Sequence, residues 1–123
     1  MKTKNDTVDI SRLHPDLKEV LPFVEAVYNT TLEEMGVGWV EMVVTSGHEL
    51  TSKHGVGSKH YTANNESGLG EAVDIRCNLL NGTQGTEMCG MIARHLRLHY
   101  PGRFKCFFEG CLKPEAHCHI QLA

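Results

Sequence analysis

Residues Arg103 to Glu109 read RFKCFFE and His117 to Leu122 read HCHIQL, separated by a stretch that includes Gly110 and Pro114. Both runs are short, and the first is dense in aromatic side chains. Gly110 to Pro114 supplies turn residues between them, so the pair is expected to form two adjacent strands. In an extended strand, side chains two apart share a face, so His117 and His119 should point the same way.

Upstream of this pair, Glu71 to Arg76 (EAVDIR) is expected to form a short central strand that carries Asp74. Thr83 to Leu98 reads as a helix whose inner face holds Met88, Met91, Ile92, His95 and Leu96, ended by Pro101-Gly102. Trp39 to Thr45 (WVEMVVT) is β-rich and bounded by glycines. Before it, Leu17, Val20, Leu21, Val24, Tyr28, Leu32 and Met35 recur at helical spacing, with an end near Gly36. Pro15 suits the first turn of that helix, whereas Pro22 predicts a break inside it. Residues 1–12 are polar and expected to be loosely held. Residues 46–70 form a long loop containing His48, His54 and His60. The order helix, strand, loop, strand, helix, strand, strand predicts an α+β domain: a small antiparallel sheet with helices packed on one face.

A chain of 123 residues fits one domain. Its net charge of -3 and pI near 6.2 argue against a nucleic-acid binder, which needs a basic face. No apolar stretch approaches the roughly 20 residues of a membrane-spanning helix, so no membrane insertion is expected. Met1 to Asp6 is polar and precedes no hydrophobic run, which predicts the absence of a signal peptide and synthesis in the cytoplasm. The five cysteines, Cys77, Cys89, Cys106, Cys111 and Cys118, are then expected to be reduced thiols, mostly buried as small apolar side chains. Asn-x-Ser/Thr occurs at Asn5, Asn29, Asn65 and Asn81, read here as turn and cap positions.

The chemistry concentrates in His60, Asp74 and the His117-Cys118-His119 run. Two imidazoles and one carboxylate converging in space make a three-ligand zinc site that leaves the fourth position to water, as in hydrolytic zinc centres. Each of these residues alone would be read as an ordinary polar side chain; the set in this order points to a metal. His48 and His54 are alternatives in the same loop. His95 and His99 stand four apart on the second helix but lack the intervening Glu of the helical zinc-protease motif, and are taken as ordinary helix residues.

Ser58-x-His60, then Gly70-x-Ala72-x-Asp74, then His117-x-His119 resembles the zinc D-alanyl-D-alanine carboxypeptidases and L-alanyl-D-glutamate endopeptidases, a group that includes lysostaphin and the hedgehog signalling domain. The resemblance covers the chain from Thr45 onward. It implies one Zn²⁺ held by His60, Asp74 and His119, with His117 beside the bound water. Strand alternation puts His117 on the ligand's own face as the first candidate general base, and Glu115, two residues further back on that face, as the second. Ser58, two before His60, and Arg76, two after Asp74, are read from their positions as candidate substrate contacts, the alternatives being a turn hydrogen-bonder for Ser58 and a surface charge paired with a glutamate for Arg76. The implied substrate is the peptide stem of bacterial peptidoglycan, and the implied agent a monomeric wall hydrolase. A small phage lysis protein, made in the host cytoplasm and reaching the wall after release, would fit.

Three departures from the family pattern shape that expectation. The acid stands fourteen positions after the first histidine (60 to 74), a longer gap than the family's, and residues 62–69 (TANNESGL) read as an extra surface excursion. Ala116 occupies the place where carboxypeptidase members carry a Glu. No arginine lies between Arg12 and Arg76 to hold a substrate carboxylate, which favours the endopeptidase over the carboxypeptidase. Two other readings compete. One is a closed structural zinc site of Cys106, Cys111, Cys118 and His117 or His119. The other is a non-catalytic zinc-binding module of the same fold, as in hedgehog.

Overall fold

The computed structural model describes residues 1–5, 8–47, 60, 65, 67–77, 80–110 and 116–123. Its first long element, α1 (Pro15–Met35), starts where His14 Nδ1 accepts the Asp16 N–H at 3.1 Å, satisfying one of the orphan donors of the first turn. Leu17, Val20, Leu21, Val24, Tyr28 and Leu32 of the expected apolar stripe are buried, whereas Met35 at its end is half-buried. The break expected at Pro22 does not occur, and α1 is continuous through it. Pro22 removes the N–H that would bond the Lys18 carbonyl, but both residues lie on the exposed face, where water can serve that carbonyl.

The second helix, α2 (Gly82–His99), opens with a reciprocal cap. Asn81 accepts the Gln84 N–H at 2.8 Å, and the Gln84 side chain accepts the Asn81 N–H at 3.3 Å. Met88, Ile92 and Leu96 are buried as expected, joined by Gly85 and Cys89, whereas Met91 and His95 are only half-buried. A β-carbon at Gly85 would come within 3.0 Å of the Phe108 ring, so the missing side chain lets α2 sit low on the sheet.

Five strands form that sheet: β1 (Lys2–Thr3), β2 (Val43–Ser46), β3 (Ala72–Arg76), β4 (Phe104–Glu109) and β5 (His117–Leu122), in the order β1-β2-β3-β5-β4. The sheet is mixed rather than wholly antiparallel, because β1 pairs with β2 in parallel. Residues 1–12 were expected to be loosely held, yet Lys2 and Lys4 donate backbone hydrogen bonds to Met42 and Val44 at 3.0 and 2.8 Å. A two-residue edge strand is too short to leave a periodic signal. The expected strand at Trp39 begins only at Val43, and Trp39 itself is 77% exposed.

Register assigns each face a different task. β3 and β5 pair Val73 with Ile120 and Ile75 with Cys118, and β4 adds Cys106 and Phe108 to that face. These side chains meet the buried stripes of both helices in one core, so the helices do lie on one side of the sheet. The alternate residues (Asp74, His117, His119, Gln121, Phe107 and Glu109) project from the opposite side.

Candidate metal centre

Asp74 and His119 are direct cross-strand partners on β3 and β5, and Asp74 Oδ1 lies 2.8 Å from His119 Nδ1. His60 places Nε2 at 3.2 Å from Asp74 Oδ2. The two imidazole rings meet edge to face with centroids 5.3 Å apart. Tetrahedral zinc bonded at about 2.0–2.1 Å separates its ligand atoms by about 3.3 Å, near the two nitrogen–carboxylate spacings of 2.8 and 3.2 Å, and one ligand atom from each residue lies within 4.8 Å of the others. The three residues thus form a group that could hold a metal ion.

The rings' outer contacts decide which nitrogens face inward. His60 Nδ1 sits 3.0 Å from the Gly47 carbonyl oxygen, which can only accept, so Nδ1 carries a proton and Nε2 is the nitrogen turned toward Asp74. His119 Nε2 donates to Gln121 Oε1 at 2.9 Å, which leaves Nδ1 toward Asp74. Each inward nitrogen lies so close to the carboxylate that a proton or a cation must sit between them. This donor set fits a divalent ion, and each ring's second nitrogen is held by a carbonyl oxygen, as is usual for ligating histidines.

Local backbone features build this support. The β2–β3 register shifts between Val44 and Ser46, so Val44 pairs with Ile75 on the core face while Ser46 pairs with Asp74 on the other. Gly47 follows the bulge, and a β-carbon there would lie 2.9 Å from the Asp9 carbonyl oxygen. Glycine allows the N-terminal segment to pack against the turn that presents the His60 acceptor.

Burial grades across the site. The side chains of His60, Asp74 and His119 are 2%, 3% and 10% exposed, that of His117 is 17% and that of Glu109 is 45%, so solvent meets the cluster from the β4–β5 side. His117 Nε2 lies 3.6 Å from Asp74 Oδ2 and 3.4 Å from Glu109 Oε2. Burial by itself would raise the Asp74 pKa, but hydrogen bonds from His119 and His60 and the nearby charges of His60 and His117 outweigh it. The carboxyl is held well below its usual range. For His119, burial works against the charged form and is overcome by the Asp74 hydrogen bond and charge, with help from Gln121 and Glu109, so its pKa is raised.

Of the residues singled out by sequence, His60, Asp74, His117 and His119 come together. Arg76 shares the face of Asp74 and pairs across the sheet with His117, half-buried at the strand end. Ser58, Glu115, His48, His54 and Cys111 lie outside the described residues, as does half of the 62–69 excursion. The mixed cysteine–histidine zinc site is corrected: Cys106 and Cys118 face the helices, whereas His117 and His119 face away from them, so one ion cannot reach both sets. His95 and His99 stack on each other at 6.0 Å and pack against Phe23 of α1, as helix residues rather than ligands.

Three residues of the site were missed in the sequence. Glu109 stands directly across from His117, Phe107 stacks on the His119 ring at 4.8 Å, and Gln121 fixes that ring. Period-two alternation from His119, combined with the antiparallel pairing of the last two strands, would have found all of them. Glu109, His117 and His119 also form a second group with ligand spacing. That group shares His119 with the buried triad and depends on a largely exposed carboxylate, so the buried triad is the better cation site. No family model matches the chain, and no curated protein or solved structure matches it either.

Proposed function

We propose that this protein is a zinc-dependent hydrolase of peptide bonds, directed at the stem peptides of bacterial peptidoglycan. The observation that carries the hydrolase reading is the buried His60–Asp74–His119 triad, bordered among the described residues by the more exposed His117 and Glu109. Zn²⁺ held by that triad would supply Lewis-acid polarisation of a carbonyl and a lowered pKa for water.

The chain's own residues then divide the remaining work. Asp74 offsets the positive charge and aligns both rings. His117 Nε2 takes up and returns a proton, and Glu109, 3.4 Å away, stabilises the imidazolium and orients the ring. Phe107 shields one face of His119 and narrows the approach to the triad. Ser58 and Arg76 are candidate substrate contacts by their sequence positions beside His60 and Asp74, and the motif resemblance supports the peptidoglycan stem as substrate. The absence of an early arginine favours an L-alanyl-D-glutamate endopeptidase over a D-alanyl-D-alanine carboxypeptidase.

One observation supports a second reading. Ala116 stands where carboxypeptidases of this pattern carry their acid, which leaves room for a zinc-binding module without catalysis. Incubating purified peptidoglycan with zinc-loaded protein, followed by mass spectrometry of the muropeptides, separates the two. A new amine and a shortened stem, both lost in His117→Ala, are expected. Intact stems at full zinc occupancy would sink the enzymatic reading and leave the binding one.

A further inference from the structure

On the helix side of the sheet, three thiols converge. Cys89 of α2, Cys106 of β4 and Cys118 of β5 place their sulfurs 2.9 Å (Cys89–Cys118), 3.3 Å (Cys106–Cys118) and 3.8 Å (Cys89–Cys106) apart. All three are free thiols, Cys118 is fully buried, Cys89 nearly so and Cys106 half-buried. From this triangle we infer a second metal site, distinct from the His60–Asp74–His119 centre, that takes a soft thiophilic cation, copper(I), in a three-sulfur shell.

The donor chemistry argues for the class of ion. Among the described residues the group is sulfur only, and thiolate donors select copper(I) and zinc over harder cations. Structural zinc sites close with four ligands. Among the described residues, three thiols meet in the core that Ile92, Ile120 and Met88 help form, with no fourth sulfur and no nitrogen or oxygen ligand in the group. A three-coordinate preference satisfies that environment, and copper(I) has it.

Distance argues in the same direction. Metal–sulfur bonds of about 2.3 Å put sulfurs about 3.8–4.0 Å apart, so one edge already matches and the shortest opens by about 1 Å through side-chain rotation. A disulfide explains the triangle less well. Cys106 and Cys118 are diagonal rather than direct partners, since Cys106 pairs with Ile120 and Phe108 with Cys118. Diagonal positions lie about 7–8 Å apart at Cα, beyond the reach of an unstrained disulfide. A Cys89–Cys118 bridge would leave the Cys106 sulfur without a role.

The consequence is mechanical. Cys118 sits between His117 and His119 on β5, and an ion bound to it and Cys89 would fasten α2 to the strand that carries the candidate ligands. The two ions would occupy opposite faces of one strand.

The test is an anaerobic titration of reduced, metal-free full-length protein with copper(I), supplied as its acetonitrile complex against a bicinchoninate competitor. Wild type, Asp74→Asn, Cys106→Ser and Cys89→Ala are compared, with a parallel Zn²⁺ titration. The inference expects Asp74→Asn to retain one copper(I) equivalent with a sulfur-only shell by X-ray absorption, and to show a higher melting temperature when loaded. It expects both cysteine variants to lose that equivalent. Cys106 is half-buried, so Cys106→Ser should stay folded by circular dichroism, and Cys89→Ala gives an independent reading. An unchanged copper(I) equivalent in either folded cysteine variant would overturn the assignment. So would nitrogen or oxygen in the shell, retention of Zn²⁺ rather than copper(I) by Asp74→Asn, or a mass deficit of two hydrogens in protein purified anaerobically.

Discussion

Asp74→Asn removes one charge from the candidate metal centre and almost no volume, which makes it the sharpest single perturbation. In the metal-free protein the carboxylate accepts from His119 at 2.8 Å and lies 3.2 Å from His60, with its side chain 3% exposed. A charge-assisted hydrogen bond contributes about 1.5–3 kcal/mol and a neutral one about 0.5–1.5 kcal/mol, so the exchange should cost about 1–2 kcal/mol at neutral pH. For a domain of this size that is a fall of roughly 3–10 °C in melting temperature.

The pH dependence follows from the two shifts. Asp74 is depressed below its ordinary 3.8, so its contribution is present above that value and disappears as pH falls through its lower folded value. His119 is raised above its ordinary 6.5, so its contribution is present below 6.5 and disappears as pH rises through its higher folded value. Wild type should therefore exceed Asp74→Asn most between about pH 4 and 6.5, with the gap closing on either side. Zinc adds a second difference, because ligand at a hundredfold over Kd stabilises wild type by about 2.7 kcal/mol and should not stabilise the variant. Thermal melts across pH, with and without Zn²⁺, read both effects. Equal zinc affinity in the variant, or a stability gap that does not vary with pH, would refute the reasoning.

Gln121→Leu removes the acceptor that holds His119 Nε2–H and should weaken zinc binding by about 10–100-fold, measured by chelator competition. His117→Ala should lower peptide hydrolysis by about 10²–10⁴-fold while leaving zinc stoichiometry at one, and Glu109→Gln should cause a smaller loss; steady-state rates on zinc-loaded variants check this. Zinc affinity of wild type should rise with pH through the raised His119 pKa, since the ion displaces that proton; calorimetry in two buffers of different ionisation enthalpy would count it. In alkali, Cys77 and Tyr28 are each pushed up to about 12, chiefly by burial and then by neighbouring thiols. Both contributions are present below the ordinary values of 9.0 and 10.0 and fade toward 12, so denaturant midpoints of the reduced protein should decline from about pH 9 upward.

The helices and the three strands around the site were legible because their periodicities are long or bounded by strong turn residues. Leu17 through Leu32 mark the same inner face in sequence and in space, and on α2 Met88, Ile92 and Leu96 do, while Met91 and His95 lie at the edge of that face. β1 was not legible: two residues cannot display an alternation, and their pairing with Met42 and Val44 depends on tertiary approach. Pro22 misled because propensity carries no information about which side of a helix faces water. Within the site, His60, Asp74 and His119 stood out by residue type, whereas Glu109, Phe107 and Gln121 are commonplace surface residues until cross-strand register is known. The Cys89–Cys106–Cys118 triangle was hidden for a related reason. Cys106 and Cys118 were grouped with the nearby histidines by sequence proximity, but alternation sends neighbours on one strand to opposite faces.

That alternation makes β5 the most constrained element of the chain. HCHIQL sends His117, His119 and Gln121 to one face and Cys118, Ile120 and Leu122 to the other. A slip of one residue against β3 or β4 would bury both imidazoles in the helix-facing core and turn the thiol and isoleucine outward, so the candidate centre and the core would be lost together. What prevents the slip is distributed over both neighbours: five pairs with β3, six with β4, and the Leu122 N–H to Glu71 and Ala123 N–H to Arg103 bonds that pin the strand's far end. Polar groups at Asp74 and His119 reinforce that register, because each finds its partner only when they are directly opposed. The residues that would hold the ion therefore also specify the pairing, and substitutions that uncouple them should broaden the unfolding transition as well as weaken metal binding.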